Sequence, residues 1–194
     1  MSSNTGKKGL FQDFFKDVWN VPNALTMLRL LLIPVYLWVH AKGHFIPALI
    51  IFMAASFTDL LDGYLARKNN QVTNFGKLMD PLADKVMVIC VMLTQTLAGC
   101  VPWAVMTVVA LKELLMVIGG VFMLKAGIVV YADVWGKAAQ FSFVVGLVLS
   151  FFHDNFAAMG AAVDQWVLWL SLMLTLFALF HYANSALKQL KAQK

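Results

Sequence analysis

Six stretches of this chain, residues 22–41, 45–66, 79–98, 102–124, 136–152 and 163–186, are apolar for close to the length a helix needs to cross a bilayer. Strands of a membrane β-barrel alternate apolar and polar residues over about ten positions. Here the apolar residues run on without alternation, and the spacing predicts an all-α polytopic membrane protein of six transmembrane helices. Composition points the same way: 61% of residues are hydrophobic and 13% charged, against roughly 45–50% and 25% in soluble domains. A soluble helical bundle is the alternative, and it would leave that apolar excess facing water.

The first span opens after Asn20-Val21-Pro22-Asn23, where polar caps and an early proline mark a helix entry. Pro34 within it predicts a kink. Ahead of the span, Leu10, Phe11, Phe14, Phe15 and Val18 recur at helical spacing, as in an amphipathic helix lying on the membrane surface. The polar start, Met1 to Gly9, is not that of a cleavable signal peptide. Residues 1–21 thus form an N-terminal segment, 22–187 one six-span domain, and 188–194 a basic tail.

Basic residues alternate with the spans. The segments 42–44 and 153–162 and the link at Gly99 carry a single one, Lys42. Lys7, Lys8, Lys16, Arg67, Lys68, Lys77, Lys125, Lys137, Lys188, Lys191 and Lys194 fall on the other side, so both termini are expected in the cytoplasm. The net charge of +5 sets topology and favours anionic lipid head groups; no nucleic-acid partner is expected. Cys90 and Cys100 predict no disulfide framework.

Against this background the acids stand out. Asp59, Asp62, Asp80 and Asp84, four of only ten acidic residues, lie in one short stretch. Negative charge in so apolar a chain calls for a cation. Asp59, Asp62, Gly63, Ala66 and Arg67 fall within a helical arc of roughly 140°, with small residues leaving room for a bulky group and Arg67 suited to phosphate. Asp80 and Asp84, at i and i+4, share a face at the start of the third span. Pro81 suits a first turn, with Asp80 as a possible N-cap. Capping cannot account for all four acids. An oxygen-rich cluster selects Mg2+, Mn2+ or Ca2+ over Zn2+, and two such ions suit phosphoryl chemistry.

The pattern Asp-x2-Asp-Gly-x2-Ala-Arg-x8-Gly-x3-Asp-x3-Asp, formed by Asp59, Asp62, Gly63, Ala66, Arg67, Gly76, Asp80 and Asp84, resembles the motif of the CDP-alcohol phosphatidyltransferases at every fixed position. Pro22-Asn23-Ala24-Leu25-Thr26-x2-Arg29 ahead of it is also similar. The resemblance implies an enzyme in which an alcohol attacks the lipid-side phosphorus of CDP-diacylglycerol and CMP leaves. It implies two Mg2+ or Mn2+ ions held by Asp59, Asp62 and Asp80, and Asp84 as general base, also near metal. It further implies Gly63, Ala66, Arg67 and Gly76 around CDP, and a homodimer.

Three further charges lie within or beside the spans. Arg29 sits about two turns into the first span, and Lys112-Glu113 near the middle of the fourth. Such ions usually face the protein interior. Glu113 pairing with Arg29 is the structural expectation, since adjacent Lys112 and Glu113 point about 100° apart. Lys112, Arg29 and, at the start of the fifth span, Lys137 are the candidate contacts for an anionic acceptor. His40, His44, His153 and His181 read as interfacial polar residues, and Gly119-Gly120 as a helix contact for a dimer.

Family members differ in acceptor. Lys112-Glu113 and Gly136-Lys137 look most like members that use sn-glycerol 3-phosphate and form phosphatidylglycerophosphate. Those often carry Arg-Glu, then Thr-x-x-Arg, then Gly-Lys-x-Lys-Thr, where this chain has Lys112-Glu113, Gly119-Gly120 and Gly136-Lys137-Ala138-Ala139. Inositol phosphate, serine or phosphatidylglycerol are the alternative acceptors. A divalent-cation transporter using the same acids is the non-enzyme alternative, though such sites sit near the midplane within inverted repeats, and no repeat is visible.

Overall fold

The computed structural model describes residues 20–68, 74–125 and 134–192, without side chains at 22, 59–60, 62–68, 74–78, 81, 120–121, 123–125 and 186–192. The expected surface helix over 10–19 lies outside the described residues. Among these, the chain is all-α: α1 Val21–Ala41, α2 Phe45–Lys68, α3 Asn74–Leu97, α4 Trp103–Lys125, α5 Val134–Ser150, α6 His153–Ala158 and α7 Val163–Ala192. Five of the six expected spans match helices to within two or three residues at their starts. The short α6 was expected as loop.

Two corrections concern α3. It begins at Asn74, five residues before the expected start of the span. Asp80 is therefore well inside a helix and is not its N-cap, and Pro81 does not occupy the first turn.

Among the described residues, two helices contain apolar segments long enough to cross a membrane, Asn23–Ala41 and Val163–Ser185, and two shorter apolar stretches occupy Phe45–Thr58 and Val134–Ser150. The chain divides into two compact units, Met1–Val91 and Met92–Lys194.

In the first unit, α1 starts as its sequence dictates. The Asn20 side chain accepts from the Asn23 amide at 2.9 Å, and a proline occupies the first turn. The helix runs unbroken past Pro34. It ends where the Lys42, Gly43 and His44 amides donate to the Trp38, His40 and Val39 carbonyls. Gly43 adopts φ of 77°, the left-handed conformation that this helix terminus needs. The chain then reverses into α2, which packs on α1. Phe45 meets His40 edge-on at 5.3 Å beside that turn.

In the second unit, α5 and α7 form an antiparallel pair. Trp135 packs edge-on against Phe177 at 5.3 Å, Ser142 and Ser171 hydroxyls lie 2.7 Å apart, and Gly146 receives Leu168. Ala139, Phe143, Gly146, Leu147 and Ser150 supply the buried face of α5, and Leu168, Ser171, Leu172, Thr175 and Ala178 that of α7. Both follow helical periodicity. The opposite surfaces, such as Leu111, Leu114, Leu115, Ile118 and Phe122 on α4, are exposed apolar residues suited to lipid.

At the start of α7 the fully buried Asp164 carboxylate accepts from His153 Nδ1 at 2.7 Å, and Gln165 donates to the Cys100 carbonyl at 2.8 Å. These bonds tie α6 and the 98–102 turn to α7. His153 is thus a buried-network residue and not merely interfacial. Burial, with Asp154 and Asp164 adding, pushes the Cys100 thiol up, so it is a poor nucleophile at neutral pH. Both cysteines are free.

A Cβ on Gly146 would lie 3.0 Å from Leu168 Cδ2 and 3.5 Å from its Cα. Gly146→Ile is therefore expected to force α5 and α7 apart and lower stability by about 1–3 kcal/mol, measured as a fall in the thermal midpoint in detergent.

Candidate active site

α3 brings Asp80 and Asp84 to one helical face, and both side chains are half-buried. α2 extends past Asp59, Asp62, Gly63, Ala66 and Arg67, all of which lie on its C-terminal half. The side chains of Asp59, Asp62, Ala66 and Arg67 fall outside the described residues, as does everything at Gly76 beyond its place on α3. Among the described residues no group of three or more His, Cys, Asp or Glu gathers as a metal site.

α1 contributes a polar face. Asn23, Thr26 and Arg29, three residues apart, are all buried, and Ile33 and Tyr36 continue the stripe as apolar core. The Thr26 hydroxyl donates to Asp80 Oδ1. An ionised carboxylate can only accept, so the direction of this bond is fixed. It sets the N-terminal parts of α1 and α3 at the same level within the first unit. The sequence placed Thr26 in a run similar to the family's but assigned it no contact. No local spacing signals a bond between residues 54 apart.

Arg29 is 1% exposed. A guanidinium so deep in an apolar helix pair is stable only among acceptors, and it lies one turn beyond Thr26 on the face that meets Asp80. The donor set fits a divalent ion: carboxylates are hard oxygen ligands, and Asp80 keeps acceptor capacity beyond the Thr26 bond.

The other sequence candidates divide. Lys112 and Glu113, both half-buried, form an ion pair with each other. This corrects the expectation that neighbours on a helix would point apart: the flexible lysine stem bends back to the carboxylate. Lys137 is exposed on the first turn of α5. A Cβ on Gly119 would meet nothing within 4 Å, so that glycine is not required by any contact among the described residues.

With a paired-acid helix and a buried polar face opposing it established, the comparison with known proteins is decisive. The profile of the CDP-alcohol phosphatidyltransferases matches residues 19–177. The chain belongs to the CDP-alcohol phosphatidyltransferase family. It is an enzyme of that type and a membrane protein. It is 30% identical over 195 aligned positions to the CDP-diacylglycerol–glycerol-3-phosphate 3-phosphatidyltransferase of Bacillus subtilis (strain 168), covering 90% of this chain and 98% of that protein. The protein of the same name from Aquifex aeolicus (strain VF5) is 33% identical, over 61% of this chain and 67% of its own. A CMP-forming cardiolipin synthase from Streptomyces coelicolor is 30% identical, over 77% of this chain and 74% of its own.

If Lys112 serves chiefly to neutralise Glu113, removing one partner strands the other. Glu113→Gln alone is expected to destabilise the protein by about 1 kcal/mol more than the double change Lys112→Met with Glu113→Gln. Thermal or denaturant unfolding of the four-member cycle measures this, and simple additivity would show that the pair carries no coupling.

Proposed function

We propose that this phosphatidyltransferase joins CDP-diacylglycerol to sn-glycerol 3-phosphate, forming phosphatidylglycerophosphate and CMP. The observation that carries this is the complete motif, Asp59 to Asp84, in a chain similar along 90% of its own length, and 98% of the relative's, to a protein named for that reaction.

The acceptor hydroxyl oxygen forms a bond to the lipid-side phosphorus, and the bond from that phosphorus to the bridging pyrophosphate oxygen breaks. CMP departs with that oxygen. Asp84 takes the hydroxyl proton. Asp59, Asp62 and Asp80 would hold Mg2+ or Mn2+, two per site, with Asp84 close by. When bound, these ions neutralise the pyrophosphate and the charge that develops on it. Gly63, Ala66 and Gly76 leave space for CDP, and Arg67 binds its phosphates. Lys137 is the first candidate to meet the acceptor phosphate, with Lys112 and Arg29 behind it.

In this reading the chain has six spans, with both termini and the carboxylates on the cytoplasmic side of the cell membrane. Soluble glycerol 3-phosphate and CMP exchange there. Residues 22–187 act as one catalytic domain, and two copies associate as a homodimer through the helix bearing Gly119-Gly120.

A second reading, with phosphatidylglycerol as acceptor and cardiolipin as product, is favoured by two facts. The Streptomyces cardiolipin synthase is similar over most of both chains. Ala139 and Gln140 stand where glycerol-phosphate enzymes often carry the second lysine and the threonine of Gly-Lys-x-Lys-Thr. Purified protein given CDP-diacylglycerol, Mg2+ and each alcohol in turn separates the two by CMP release. Turnover with phosphatidylglycerol and none with glycerol 3-phosphate would overturn the first.

Asp84→Asn is expected to lower CMP release by at least about 100-fold while CDP-diacylglycerol binding persists; near-normal turnover would remove Asp84 as base. Lys137→Ala is expected to raise KM for glycerol 3-phosphate about tenfold with little change in kcat, the loss of one charge-assisted bond. An unchanged KM takes Lys137 out of that role.

A further inference from the structure

Three helical threonines of this protein share a habit. Thr58, Thr96 and Thr107 donate to the carbonyls of Ala55, Met92 and Trp103 in their own helices, at 2.7, 2.8 and 2.8 Å, as hydroxyls inside helices usually do. Thr26 donates instead to a side chain on another helix, the carboxylate of Asp80. It is completely buried. Its neighbours on the same face, Asn23 and Arg29, are buried too, so the donor end of the bond is enclosed while Asp80 stays half-buried.

A carboxylate that ligates a metal has two oxygens and free rotation about its last bond. Outer hydrogen bonds remove that freedom, and losing one typically weakens metal binding by about 10–100-fold. Oδ1 of Asp80 is held by Thr26, which leaves Oδ2 and the remaining lone pair of Oδ1 directed by α1. We propose that Thr26 is a positioning residue: its hydroxyl orients Asp80 for a divalent ion, so that α1, which carries none of the four acids, sets the metal affinity of the site. This rests on the reading of Asp80 as a metal ligand.

The test is Mn2+ binding to the purified full-length protein in detergent, followed by the electron paramagnetic resonance signal of free Mn2+. Thr26→Val keeps the shape and removes the hydroxyl. It is expected to weaken Mn2+ binding about tenfold and to raise the Mn2+ needed for half-maximal CMP release, with KM for the alcohol unchanged. Thr26→Ser should bind as the original protein does. Thr96→Val, which deletes a buried hydroxyl bonded to the Met92 carbonyl near the far end of α3, should also bind normally. Asp80→Asn defines what loss of the ligand looks like.

Equal Mn2+ affinity in Thr26→Val and the original protein overturns the proposal, and a lowered thermal midpoint with unchanged affinity does the same. If Thr26→Val fails to fold, Thr26→Ala takes its place with the same expectation. If the original protein binds no Mn2+, or Asp80→Asn binds it fully, the metal role of Asp80 itself fails and the inference falls with it. That outcome is distinct from one in which only the Thr26 variants match the original.

Discussion

A carboxylate in a chain this apolar is stable only where donors or cations meet it, and that requirement organises the first unit. The bond from Thr26 to Asp80 is the clearest case. It demands that α1 present a polar face near its N-terminal end, and α1 does so with Asn23, Thr26 and Arg29 before turning apolar at Ile33 and Tyr36. One helix thereby performs two tasks along its length. Its first half serves charge, and its second half packs as an ordinary span. Desolvation cost explains the order: charged groups are cheapest near the membrane boundary and most expensive at the centre.

The second unit meets the same requirement differently. Asp164 is fully buried and held by His153, with Gln165 bridging to the Cys100 carbonyl. Those partners come from the ends of neighbouring elements and join them, which is a fastening role. Asp80 and Asp84 are only half-buried and sit i, i+4 on one helix, where like charges repel. A protein fastening its helices would not place two acids so. Two acids at that spacing suit the cation-site reading proposed above.

Most of the fold was legible because each helix advertises itself. Apolar runs, Asn20 and Pro22 at an entry, and Gly43 at an exit are local signals, and the helices follow them. The errors were equally physical. Pro81 suits a first turn, but α3 begins at Asn74 and carries the proline inside it. Backbone angles set Lys112 and Glu113 about 100° apart, and a lysine stem is long enough to bridge that offset. Asp59, Asp62, Asp80 and Asp84 stand together in the sequence because their spacing is short. The Thr26 and His153 contacts were not, because they join segments that only the packing brings together.

The acceptor question turns on where positive charge is left to act. Lys112 is committed to Glu113, and an ion pair of that kind must be broken, or share its lysine, before it can meet a substrate phosphate. Separating two half-buried charges costs more than the single new contact returns. Arg29 is almost fully buried on the α1 face that carries Thr26, out of reach of water. Lys137, by contrast, is exposed on the first turn of α5, so meeting a phosphate from water costs it little desolvation. Physical reasoning therefore ranks it first for an anionic alcohol. A lone lysine binds phosphate as a point charge without the directional fork of arginine. Selection among anionic acceptors must then come from shape and from the site acids more than from a dedicated phosphate clamp, which makes Ala139 and Gln140 the informative departures in this sequence.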